Sequence, residues 1–111
     1  MSDKPPPIVE EGLVYPESLV DEIGVSDGTP GPTREKSFAF AIEIIRLYKR
    51  LQTMKEFVIS KQLLRSGTSI GANVEEAVAG SSRRDFLHKM TIASKEARET
   101  VYWLRLLDES D

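Results

Sequence analysis

The chain has 111 residues, of which 40% are hydrophobic and 7% aromatic, with six prolines, seven glycines and no cysteine. This length holds one small domain, no stretch approaches the roughly 18 apolar residues of a bilayer-crossing helix, and the lack of cysteine excludes disulfides, thiolate nucleophiles and Cys-based metal sites. The net charge of −3 conceals a sorting: residues 1–33 carry one base against seven acids, residues 34–105 carry fourteen bases against eight acids, and the last six residues add three acids.

The chain opens MSDKPPPIVEEG, with acid and proline where a secretory signal needs a basic start and an apolar run, so a cytoplasmic protein is expected. All six prolines lie before Thr33. Residues 1–33 therefore read as an acidic, Pro-rich arm, largely extended and flexible, with one short helix allowed from Pro16 to Ile23, where Leu19, Val20 and Ile23 share a face. Residues 34–111 read as the helical domain.

The first long helix is expected from Arg34 to Gln52, with Thr33 as N-cap. Two apolar stripes run along it, Phe38, Ile42, Ile45 and Tyr48 on one line and Phe40, Ile44, Leu47 and Leu51 on another. Their combined arc is wider than one neighbouring helix covers. Arg46, Lys49 and Arg50 close the polar side, where cations also suit the helix dipole.

A second helix is expected from Lys55 to Ala79, burying Ile59, Leu63, Ile70, Val74 and Ala77 or Val78. Its middle, Ser66-Gly67-Thr68-Ser69-Ile70-Gly71-Ala72-Asn73, holds one large side chain and two glycines that each cost about 1 kcal/mol relative to alanine. Close backbone approach of another helix at Gly67 and Gly71 is the expected compensation, with a kink as the alternative. A phosphate-cradling loop is a remote reading, because the Lys-Ser/Thr ending and the preceding strand are both missing.

The third helix is expected to open at Ser82, with Asp85 three residues on as in a capping box, and to reach Leu107. Phe86, Met90, Ala93, Ala97, Val101, Leu104 and Leu107 mark its core face. Arg84, His88, Thr91, Lys95, Arg98, Tyr102 and Arg105 recur at helical spacing on another face that would extend about 31 Å. Guanidinium forks suit phosphate oxygens, and His88 and Tyr102 suit stacking on unpaired bases, so Arg84, His88, Lys95, Arg98, Tyr102 and Arg105 form a candidate nucleic-acid surface. The competing reading is a solvated face whose charge Glu96 and Glu99 neutralise, through Lys95 above all.

No catalytic set is evident. The single histidine has no nominated serine partner, and Asp85 with His88 makes only two of the ligands a metal needs unless an oligomer axis assembles several copies. Neither a catalytic residue, nor a metal, nor a cofactor is expected. Asn73 or Glu76 is expected to form a buried polar link between helices.

The stretches KSFAFAIEIIRLYK, FVISKQLLRSGTSIGANVEEA and DFLHKMTIASKEARETVYWLRLL resemble the four-helix-bundle family of 23S rRNA intervening-sequence proteins over residues 36–107, most specifically in RSGTSIGANVEEA. That family is similar in fold to the accessory variability determinant of diversity-generating retroelements, a basic pentameric ring that binds nucleic acid and a reverse transcriptase. The resemblance implies an all-α antiparallel helical bundle, a homopentamer, RNA or DNA and a protein such as a reverse transcriptase as partners, and no catalytic residue. It also implies bundle-stabilising roles for Arg65, Ser69, Asn73 and Glu76. The chain departs from the pattern in its acidic arm and in the apparent absence of the fourth helix. The expected function is that of a non-enzymatic, oligomeric accessory protein on nucleic acid, with a protein-docking module as the alternative.

Overall fold

The computed structural model describes residues 8–10, 13–15 and 31–110. The expected helix from Pro16 to Ile23 lies outside them. In the arm, β1 (Ile8–Glu10) pairs antiparallel with β2 (Leu13–Tyr15), Val9 opposite Val14, a short pairing that the sequence reading did not include. Three helices follow, α1 (Pro32–Thr53), α2 (Val58–Ala79) and α3 (Arg83–Glu109), joined by short connections into an all-α antiparallel bundle.

Each helix boundary has a local cause. Pro32 occupies the first helical position of α1, so Gly31 rather than Thr33 is the N-cap; proline fixes the helical φ and has no N–H to leave unpaired. The residue expected to start the second helix, Lys55, instead has φ of 62°, a left-handed conformation that ends the preceding turn. The Glu56 carboxylate then accepts from the Ile59 N–H at 2.8 Å, so α2 opens three residues later than expected. Ser82 accepts from the Asp85 N–H at 3.1 Å and caps α3, while the Asp85 carboxylate takes the Ser81 hydroxyl instead of closing the box onto the cap.

α2 is the central element. It packs along both neighbours, whereas α1 and α3 barely meet. On the α1 side the expected close approach is present: a Cβ placed on Gly67 would lie 2.7 Å from Ile44 Cγ1, and one on Gly71 would lie 3.2 Å from the Ser37 carbonyl oxygen. On the α3 side, Val74, Ala77, Phe86 and Ala93 form one buried cluster; Ile44, Leu51 and Leu63 form a second, joined by Trp103, Leu104 and Leu107. Polar hydroxyls sit inside this packing with their bonds made. Gln52 donates to the fully buried Ser60 at 2.9 Å, and buried Thr100 and Ser66 hydroxyls share a 2.9 Å bond across α2 and α3, with Thr100 donating to the Glu96 carbonyl.

The wide apolar arc of α1 is only partly covered: Ile44 and Leu51 are buried, whereas Phe38, Phe40, Ile42 and Ile45 remain 64%, 37%, 36% and 39% exposed. One expected core position is corrected. On α3 Val101 is 55% exposed and its neighbour Thr100 is buried in its place, which rotates the packed face toward Ser66.

The glycine contact gives a direct test. Gly67→Ala should lower unfolding free energy by 1–3 kcal/mol (roughly the cost of overpacking) despite a helix-propensity gain of about 1 kcal/mol. Adding Ile44→Ala should cost less in that background than in the wild type, as read from denaturant melts of the four variants.

Candidate nucleic-acid interface

Every member of the third-helix stripe, Arg84, His88, Thr91, Lys95, Arg98, Tyr102 and Arg105, is exposed on the outer face of α3. They lie in line because successive members are three or four residues apart on one helix, and the face opposite them is held by Phe86, Ala93 and Thr100 in the core. Tyr102 stacks edge-on against Trp103, with ring centroids 5.2 Å apart. The Thr91 hydroxyl is spent on the Leu87 carbonyl at 2.8 Å and offers only its oxygen outward.

The carboxylates expected to neutralise this face point elsewhere. Arg65 of α2 reaches across and takes both, bonding Glu96 at 3.1 Å and Glu99, whose carboxylate also accepts the Trp103 indole N–H at 2.9 Å. Among the described residues Lys95 and Arg98 have no carboxylate within ion-pair distance; Arg98 makes a 3.4 Å bond to the Ser94 hydroxyl. Arg105 has a loose, exposed pairing with Glu109 at 3.4 Å. Between Arg84 and Arg105 the stripe itself contains no acid.

Other expected polar links divide. Arg65 does join α2 to α3, and Glu76 joins them through Lys89 at 2.8 Å, although at an exposed position. Asn73 bonds within its own helix, to the Ser69 carbonyl at 2.9 Å and hydroxyl at 3.1 Å, so it is not an interhelix link. Arg34 and Glu75 pair at 2.8 Å across α1 and α2, a contact with no sequence signal; the hydrogen bond to Glu75 raises the guanidinium pKa still further, against the pull of desolvation.

Asp85 and His88 share an exposed turn, with Asp85 engaged in the cap, and no three His, Asp or Glu side chains converge among the described residues. Gly67 and Gly71 lie inside α2, so the phosphate-loop reading has no loop. A groove of about 430 Å³, lined by Thr33, Lys36, Phe40, Ile70, Val101 and Leu104 among others, opens where α1 and α3 fail to meet. No described helix is long and apolar enough to cross a membrane.

Comparison with known proteins bears on the same region. Residues 33–111 match the family model described as 23S rRNA-intervening sequence protein. A 1.70 Å crystal structure of a protein of unknown function from the S23 ribosomal protein family of Bacteroides thetaiotaomicron is 56% identical, with a TM-score of 0.70 over 71% of each chain. No curated protein matches.

The Arg65 clamp predicts that Glu99→Gln, which keeps an oxygen for Trp103 but removes the charge, costs about 0.5–1 kcal/mol of stability at low salt. The loss should shrink in 0.5 M salt, measured by paired denaturant melts.

Proposed function

The chain belongs to the 23S rRNA-intervening sequence protein family, and from that footing we propose that it is a non-enzymatic, homo-oligomeric accessory protein that binds nucleic acid through the outer face of α3. The observation that carries the reading is that Arg84, Lys95, Arg98 and Arg105 share one exposed face, on which Lys95 and Arg98 have no carboxylate within ion-pair distance among the described residues because Glu96 and Glu99 are committed to Arg65.

Mechanistically, cations spaced along about 31 Å of helix follow successive phosphates of a strand, and each releases counterions on contact. His88 and Tyr102 present rings between them for stacking on unpaired bases. Contacts of this kind are individually weak, so several copies of the face in one assembly add through multivalency. The family resemblance suggests five copies. A protein-docking role is the second reading, favoured by the apolar groove between α1 and α3.

Four phosphate contacts per subunit imply a salt slope of about −3 on single-stranded RNA, so raising salt from 50 to 200 mM should weaken binding about fifty-fold. Arg84→Glu with Arg98→Glu should abolish it at 50 mM, by fluorescence anisotropy on a generic RNA oligomer. Binding that ignores both salt and the double substitution, or no binding at 50 mM, contradicts the reading.

A further inference from the structure

The charge sorting along the chain sets two opposite partners on one molecule. Residues 1–33 carry seven acids against Lys4 alone, while Lys95, Arg98 and Arg105 stand exposed on the outer face of α3. A carboxylate approaching that face meets little of its own charge. Arg65 holds Glu96 and Glu99 to one side, and Lys95 and Arg98 have no carboxylate within ion-pair distance among the described residues.

The fold fixes where the arm joins this surface. Gly31 caps α1, and Thr33 lines the same hollow as Ala97 and Val101 of α3, so the arm leaves the helical domain beside the middle of the stripe. Measured along α3 from Ala97, both Arg84 and Arg105 lie within about 20 Å. Glu22 precedes Gly31 by nine residues and Glu10 by twenty-one, spans of up to about 30 and about 70 Å for extended chain. The acids between them therefore reach every cation of the stripe within the same copy. The exposed cations Lys49, Arg50 and Lys55 lie toward the other end of α1, about 27 Å or more from the root of the arm.

We propose that the acidic arm docks on the α3 stripe of its own copy and competes there with nucleic acid, the carboxylates of residues 10–22 standing where phosphates would. This rests on the nucleic-acid reading above and adds its regulation. Tethering holds the arm at an effective concentration on the order of millimolar, so contacts that are individually weak keep it in place. Nucleic acid then binds by displacing the arm, and a strand long enough to meet the whole stripe does so more readily than an isolated anion. Because the arm's contacts are ionic and exposed, salt loosens them too.

Two measurements on the full chain test this. In the first, Glu10→Gln, Glu11→Gln, Glu17→Gln, Asp21→Asn and Glu22→Gln are combined, and a generic RNA oligomer is titrated by fluorescence anisotropy. The neutralised chain should bind about tenfold tighter at low salt, as it would if the wild-type stripe were open about a tenth of the time, and the gap should narrow as salt rises. In the second, zero-length carbodiimide cross-linking of the wild-type chain, mapped by mass spectrometry, should join Lys95 to an acid of residues 10–22 within one 12.4 kDa subunit, and excess RNA should suppress the product. Equal RNA affinity of the two chains removes the arm contact alone. So does a link from the arm to Lys49 or Lys55 in place of Lys95, or a product that joins two subunits. A tighter neutralised chain with no Lys95 link reports long-range charge and also removes the contact. No RNA binding by either chain removes the nucleic-acid reading and the competition with it, while the cross-link still reports whether the arm docks.

Discussion

A single methyl added at Gly67 would collide with Ile44, and the arrangement of the whole bundle depends on that approach. Glycine in a helix interior is unfavourable on its own terms, so its presence at two points one turn apart is intelligible only if another backbone comes close. With α1 drawn against the glycine side of α2 and α3 bonded to its other side through Thr100 and Ser66, the outer helices flank the middle one instead of packing on each other. The groove between them is a direct consequence.

The same geometry decides which charges are available. Arg65 projects from α2 toward α3 and collects Glu96 and Glu99, and this holds those two acids away from the stripe that carries Lys95 and Arg98. A stabilising contact between helices thus doubles as the device that keeps the candidate binding face positive. Net charge conveys none of this, since the chain is acidic overall and the positive excess appears only when the arm and the helical domain are separated.

Much of the fold was legible because its signals are local or periodic. The glycine pair, the Ser82 cap and the 3.6-residue recurrence of the α3 stripe each follow from spacing alone. What escaped depended on partners distant in sequence. Thr100 reads as a surface residue until Ser66 is placed opposite it, and Val101 reads as core until that pairing rotates the helix. Glu96 and Glu99 sit near Lys95 in sequence, yet Arg65, more than thirty positions away, reaches them. The Lys55 turn was missed for another reason: a lysine in the left-handed region lacks the glycine that ordinarily announces it. The exposed cations were foreseeable as a face, whereas the capture of Glu96 and Glu99 by Arg65, which leaves Lys95 and Arg98 without them, was not.

Under the proposed function, copies of one small bundle assemble and present an outward basic face to nucleic acid. Native mass spectrometry of the full chain, with and without a generic single-stranded RNA at low salt, reads both parts at once. The expected spectrum is a closed multiple of the 12.4 kDa subunit that shifts by the mass of bound RNA. A lone 12.4 kDa species that takes up no RNA would contradict it.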